Sequence, residues 1–256
     1  MSAQTQIQRL DIAVVAAGLT GSRSRARDLI RRGFVAVDGQ VVIKPAASVR
    51  RGAVITLSDM APDFVSRGAE KLVAALEAYS FDPKGRVVID IGASTGGFSQ
   101  VLLRGGASQV YAVDVGHGQL HPRIAADQRV ISLEGMDARG LDRSVVLEGV
   151  QAIVADVSFI SLTKVLGPAM QLAEPGAWLV GLIKPQFEVG PGVVGKGGIV
   201  ADDAARQHAI EIVRQWFDGH AGFRDGFGWQ LTQVISSPVA GGDGNQEYLI
   251  GATLRG

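Results

Sequence analysis

Two lysines and two acids stand where an alternating strand–helix chain would present chemistry. Lys71 opens the helix ahead of the first apolar strand, Asp156 closes the strand AIVAD, Lys184 closes WLVGLIK, and Glu247 opens EYLI. In a doubly wound sheet the ligand crevice lies beyond the carboxyl ends of the strands. Asp156 and Lys184 satisfy that placement directly, and Glu247 reaches the same rim if its strand runs antiparallel. A lysine whose pKa is lowered by desolvation or by a second cation can take a proton from a weak oxygen acid. Taken singly, each of the four reads more readily as a surface residue or a salt-bridge member than as a functional group. A glycine-rich turn gives them a context. In VVIDIGASTGGFSQVLL, a buried strand carrying Asp90 runs into Gly92, Gly96 and Gly97, which let the backbone pass close to a ligand, and FSQVLL then opens a helix with free amides. The four histidines have no metal-ligand spacing, and Ser94, Ser158 and Ser161 lack the elbow of a hydrolase. Neither a metal nor a covalent nucleophile is assigned.

The elements that must position these residues follow from periodicity. Apolar segments at 86–91, 109–114, 129–132, 151–155, 177–183, 229–235 and 247–253 read as strands, with helical segments between most of them. That alternation predicts an α/β fold, a mostly parallel seven-stranded sheet covered on both faces. The long irregular stretch at 185–199, PQFEVGPGVVGKGGI, sits inside this unit, and such loops are usually functional. Ahead of it lies a smaller α+β module. Residues 7–19 have helical spacing, Ser22 is a helix cap before SRARDLIRRG, and Asp38-Gly39 in FVAVDGQVVI is a hairpin signal. The expected organisation is a small domain at 1–62, a linker at 63–69 and a large domain at 70–256.

Composition sets bounds. With 256 residues and 46% hydrophobic content the chain builds a real core. It has no cysteine, which excludes disulfides and thiolate metal sites and suits a reducing cytoplasm. No apolar run approaches the ~18 residues of a membrane helix, and no signal peptide is expected. The zero net charge is unevenly spread: residues 1–65 hold nine Lys/Arg against five Asp, a balance of +4. A basic front end on an acidic body fits a polyanionic partner, although ordinary surface charge reads the same way. Arg23, Arg25, Arg27, Arg31 and Arg32 crowd one short helix, and Arg23, Arg27 and Arg31 share a face at ~100° per residue. They form either a phosphate grip or a solvated helix face.

Two resemblances connect these features. SRSRARDLIRRGFVAVDGQVV, within residues ~7–60, is similar to the S4-type RNA-binding domain, which implies that the arginine helix and the β-loop hold structured RNA. The turn G-A-S-T-G-G departs from the dinucleotide pattern G-x-G-x-x-G, which disfavours a nicotinamide-dependent oxidoreductase. It resembles motif I of class I methyltransferases instead. That resemblance implies S-adenosylmethionine as cofactor, Asp90 near it, and residues Gly92, Ala93, Ser94, Thr95, Gly96, Gly97 and Phe98 around its methionine part. It also implies Asp114 with Val115 at the adenosine ribose and Asp137 with Ala138 at the adenine. Asp114 as a turn-capping carboxylate is the other reading. The order Lys71, Asp156, Lys184, Glu247 matches the tetrad of the RrmJ/FtsJ class of 2′-O-methyltransferases. VSRGAEKL, DIGASTGGF, VDVGHGQL, DVSFISL, KPQFEVG, GKGG and SPVAGGDGNQEYL together resemble the TlyA family over nearly the whole chain. His117 departs from the aromatic common there.

The implied reaction is methyl transfer to a ribose 2′-hydroxyl of ribosomal RNA, on cytidine, in rRNA or a ribosomal subunit, with no membrane and no obligate protein partner. Lys184 is then the candidate base or a group that steers the hydroxyl, Lys71 the neighbouring cation, and Asp156 and Glu247 the orienting acids. The alternatives are a haemolysin-like membrane-damaging protein and a nonenzymatic RNA-binding protein.

Overall fold

The computed structural model describes residues 7–219 and 227–256, and it divides into two compact units, Met1–Arg67 and Gly68–Gly256. In the first, β1 (Ile7–Arg9) leads into α1 (Leu10–Ala16), followed by α2 (Arg23–Arg31), β2 (Val35–Val37), β3 (Gln40–Val41), β4 (Ser48–Arg50) and β5 (Ile55–Leu57). Helical periodicity predicts a helix from residue 7, but Ile7–Arg9 pairs antiparallel with Ser48–Arg50. A tertiary partner overrides the local pattern there. The Ser22 hydroxyl caps α2 by accepting from the Arg25 amide at 3.2 Å. Asp38 and Gly39 turn β2 into β3 with φ of 48° and 83°, as a tight hairpin turn requires. Leu10, Ala13 and Val14 of α1 meet Ala26, Leu29 and Ile30 of α2, with Val35 and Val49, in a small separate core.

The second unit begins with α3 (Gly68–Tyr79), then alternates β6 (Val87–Ile91), α4 (Gly97–Arg104), β7 (Gln109–Asp114), α5 (Pro122–Ala125), β8 (Val130–Glu134), β9 (Val150–Ala155), α6 (Leu166–Leu172), β10 (Ala173–Ile183), α7 (Pro185–Glu188), α8 (Asp203–Asp218), β11 (Gly228–Ser236) and β12 (Tyr248–Arg255). The seven strands lie in the order β11-β12-β10-β9-β6-β7-β8. β6 pairs parallel with β7 and β9, β7 with β8, and β9 with β10, while β12 runs antiparallel between β10 and β11. Ile89, Val88 and Ile153 are fully covered, as strands buried on both faces must be. β10 begins four residues earlier than its apolar run, with a register break between Ala173 and Trp178.

The reversed strand shapes the site. Ile183 pairs with Tyr248, so the end of β10 and the start of β12 reach the same edge of the sheet. α3 is tied to β12 by Tyr79, whose hydroxyl donates to the Leu249 carbonyl at 2.7 Å. Replacing Tyr79 with Phe removes that bond without changing shape, and should lower the unfolding free energy of this unit by about 1 kcal/mol in denaturant titrations. An unchanged midpoint would mean that the bond adds nothing to the anchoring of α3.

Candidate active site

At the carboxyl edge, neighbouring strand ends place the acids and lysines in two pairs. Lys184 follows the last residue of β10, and its Nζ lies 2.6 Å from Asp156 Oδ1, directly after β9. The contact is a close ion pair without hydrogen-bond alignment at that oxygen. The same ammonium donates to the Ser158 hydroxyl at 2.9 Å. Glu247 precedes β12, and Lys71 of α3 donates to its Oε2 at 2.5 Å. Lys71, Lys184 and Glu247 are buried, and Asp156 is partly open. The antiparallel course of β12, a condition of the sequence reading, is what brings Glu247 to this edge.

The glycine turn hangs from the end of β7. Gly92 and Ala93 amides donate to the Val113 carbonyl at 2.8 and 3.1 Å, the Ser94 amide to Asp114 Oδ2 at 2.8 Å, and the Gly96 amide to Ala93 at 2.7 Å. Those four amides are spent inside the turn. Gly92 has φ +79° and faces the Asp156 backbone so closely that a Cβ would collide with its carbonyl oxygen. The turn and the Asp156 strand end are therefore fitted to each other through a missing side chain. Asp90 lies beneath, fully buried. Its Oδ2 accepts from the Ser99 hydroxyl at 2.6 Å, and its Oδ1 has no hydrogen-bond partner among the described residues. Burial pushes its carboxyl up to about 7, against the Ser99 hydrogen bond and with added repulsion from Asp156 and Asp114.

A cavity of about 370 Å³ opens between the turn and the ends of β7, β8 and β9, within the usual range for small-ligand sites. Of the sequence-predicted cofactor residues, Gly92, Ser94, Asp114, Val115, Asp137 and Ala138 line it, while Asp90, Ala93, Thr95, Gly96, Gly97 and Phe98 do not. Gly97 and Phe98 belong to the buried start of α4. Asp137 caps a short helical turn and is held by Arg139 at 2.5 Å, which keeps its carboxyl at about 2. Asp156 also lines the cavity, joining it to the lysine pairs. The lining thus includes Asp114, Asp137 and Asp156 and no lysine or arginine. Arg139 and Lys184, outside the lining, balance Asp137 and Asp156, which leaves Asp114 as the lining acid with no ion pair among the described residues, a setting that suits a ligand with cationic groups.

Sequence reasoning missed part of the lining. Gln119, Met136 and Val165 close the cavity, together with the loop Val157, Ser158, Phe159 and Ile160. Phe159 is 91% exposed, has φ +66°, and makes a tilted ring contact with Phe187 at 5.3 Å. The motif DVSFISL was visible in the sequence. A non-glycine residue forced into left-handed backbone was not.

The first unit distributes its arginines unevenly. Arg23 and Arg27 lie together and both bind the buried carboxylate of Asp11, each at 3.0 Å, while Arg31 is exposed at the end of α2. Arg25 departs from the predicted RNA face. It is 5% exposed, pairs with Asp28 at 2.8 Å and donates to the Pro62 carbonyl, so its guanidinium is used inside the module. Helical rotation explains this, since Arg25 falls on the side that also carries Leu29 and Ala26. Arg32 pairs with Asp28 at 3.5 Å and lies over the Phe34 ring.

Residues 64–254 match the model of the FtsJ-like methyltransferase family, and residues 8–55 match that of the S4 domain. The chain belongs to the FtsJ-like methyltransferase family. It is 44% identical over 243 residues to the 16S/23S rRNA (cytidine-2′-O)-methyltransferase TlyA of Mycobacterium tuberculosis, covering 94% of this chain and 88% of that protein. A structure described as a hemolysin from Streptococcus thermophilus superposes with a TM-score of 0.75 at 33% identity, over 98% of this chain and 90% of the other. An S-adenosylmethionine-dependent methyltransferase structure from Listeria monocytogenes, at 12% identity and a TM-score of 0.51, covers 74% of this chain and 99% of that one, and shows the shared fold alone. For an FtsJ-like methyltransferase the methyl donor is S-adenosylmethionine, a sulfonium cation that also carries an ammonium group, and the acid-lined cavity fits it. Among the described residues no helix is long and apolar enough to cross a membrane.

The Asp90 carboxyl gives a pH signature. Its folded pKa of about 7 stands above its unfolded value of about 3.9, so the native state holds a proton that the unfolded chain releases. Stability conferred by that proton is complete below about pH 4 and is lost as pH rises through about 7. Melting temperature should fall over this window in the wild type, and Asp90→Asn should remove that part of the slope. Identical slopes in the two proteins would show that Asp90 titrates elsewhere.

Proposed function

We propose that this enzyme methylates a ribose 2′-hydroxyl of ribosomal RNA, on a cytidine, in free rRNA or an assembled subunit. The observation that carries the reading is the Lys184–Asp156 pair, in which Asp156 both lines the cofactor cavity and holds the lysine at its mouth. Chains as similar as TlyA of Mycobacterium tuberculosis bear that activity in their names.

S-adenosylmethionine supplies an electrophilic methyl group when bound. Asp114, at the end of β7, is placed for the ribose of its adenosine. Its two oxygens already accept from Ser94 and Gly116 amides, and each keeps a further lone pair. Gly92 and Ser94 border the methionine side. A ribose hydroxyl is a poor nucleophile and must give up its proton as it attacks. Lys184, steadied by Asp156 and Ser158, meets that hydroxyl and holds its oxygen in line, and as a neutral amine it takes the proton to become an ammonium paired with Asp156. Lys71, neutralised by Glu247, sets a second cation at the adjacent strand end. Phe159 offers an exposed ring on which an unpaired base can stack, worth about 1–3 kcal/mol in single-stranded recognition. In the S4 domain, Arg23, Arg27 and Arg31 face phosphate, with Arg25 and Arg32 serving the module itself.

Transfer of labelled methyl to rRNA or subunits, with mapping of the modified ribose, tests the activity. Lys184→Ala should lower the rate about 10²–10⁴-fold while cofactor and RNA still bind. Lys184→Arg should also fail, because a guanidinium keeps its proton and presents a planar fork. Substantial turnover in either variant would remove Lys184 from the chemistry. The cofactor placement has its own check in Gly92→Val, whose branched side chain must displace the Asp156 backbone. Calorimetry should then find S-adenosylmethionine binding abolished, and unchanged affinity in a folded variant would place the cofactor elsewhere.

A further inference from the structure

The S4 unit contains a charge arrangement that neither the fold nor the reaction demands. Asp11, in the first turn of α1, has a side chain with no exposed surface. Three guanidiniums surround it. Arg9 reaches it with two nitrogens, Nε to Oδ1 at 3.0 Å and a terminal nitrogen to Oδ2 at 3.1 Å. Arg23 and Arg27 both donate to Oδ2 at 3.0 Å. The three arginine side chains remain 46%, 50% and 43% exposed. One carboxylate would be neutralised by a single arginine. Three leave a net charge of +2 on a patch of partly exposed side chains.

We infer that Asp11 is a positioning residue for RNA: it aligns Arg9, Arg23 and Arg27 as one preorganised fork for adjacent phosphates. The inference rests on the reading that this unit binds rRNA. An arginine side chain has substantial rotamer entropy to lose when it binds. Held by a shared buried acceptor, the three guanidiniums have lost much of that freedom before RNA arrives, and preorganisation raises affinity by removing such costs. Arg9 precedes α1, whereas Arg23 and Arg27 stand one turn apart on α2. The carboxylate therefore also fixes the spacing of cations that come from two elements. The guanidinium of Arg9 holds the Asp11 carboxyl well below the usual carboxylate range, aided by Arg27 and Arg23, so the hub stays charged at neutral pH.

The test turns on sign. If Asp11 were only a negative charge near a polyanion site, removing it would tighten RNA binding. As a positioning residue, its loss weakens binding although the net charge rises by one. The full chain is titrated with a labelled double-stranded RNA hairpin and with 23S rRNA at several salt concentrations, with cofactor calorimetry and thermal melting as folding controls. Asp11→Asn should bind RNA about 10-fold more weakly, the scale of one charge-assisted hydrogen bond. Its salt dependence should be shallower by up to about 0.9 in slope for each phosphate the variant no longer grips, by analogy with duplex DNA. Arg27→Lys keeps the charge, loses the planar fork and leaves Arg9 and Arg23 on Asp11, so it decides the matter if Asp11→Asn fails to fold. It should also weaken binding several-fold. Equal or tighter binding in folded Asp11→Asn, or wild-type affinity and slope in Arg27→Lys, overturns the proposal. A wild-type chain that binds neither RNA at low salt overturns the underlying RNA reading as well, which separates the two failures.

Discussion

Two lysine–carboxylate pairs, held largely out of water at neighbouring strand ends, are the constraint to which the methyltransferase unit answers. Burying an ion pair gains little by itself, because desolvation offsets most of the attraction, but removing one partner leaves a costly uncompensated charge. Lys184 with Asp156 and Lys71 with Glu247 therefore require each other in place. The parallel strands β9 and β10 deliver Asp156 and Lys184 to one edge, and the reversed β12 delivers Glu247 to the same edge. α3 is docked on β12 through Tyr79 and carries Lys71 inward.

The same edge carries the cavity between the glycine turn and the ends of β7, β8 and β9, and Asp156 belongs to both. The close approach of Gly92 to the Asp156 backbone fits the turn against that strand end and leaves no room for a side chain. Two of the three lining acids are paired with basic groups outside the lining, Asp137 with Arg139 and Asp156 with Lys184, and Asp114 is the one without an ion pair among the described residues.

In the S4 unit, charge is organised by two acidic hubs. Asp28 draws Arg25 into the module and also pairs with Arg32, whereas Asp11 gathers Arg9, Arg23 and Arg27 at a surface where they stay accessible. Five arginines in ten residues are not five equivalent cations. Which acid each one meets decides whether it serves the fold or faces outward.

The sequence alone determined the elements and the candidates. The seven apolar segments became seven strands, with β6, β7 and β9 showing the near-continuous apolar runs of strands covered on both faces. Asp156, Lys184 and Glu247 were legible as residues that flank strand ends and Lys71 as one near the start of a helix, and the structure pairs Lys184 with Asp156 and Lys71 with Glu247. Tertiary structure decided what depends on partners distant in the chain. Lys71 and Glu247 are 176 residues apart and meet only because β12 is reversed. Ile7–Arg9 is strand and not helix because β4 lies beside it. Arg25 turned inward because Asp28 and the Pro62 carbonyl receive it, and Phe159 stands outward on left-handed backbone beside Phe187. Local periodicity records which face of an element is apolar. It carries no information about which charged group from another element will arrive there, and that pairing, through desolvation and hydrogen-bond geometry, set the roles of the ionised residues in this protein.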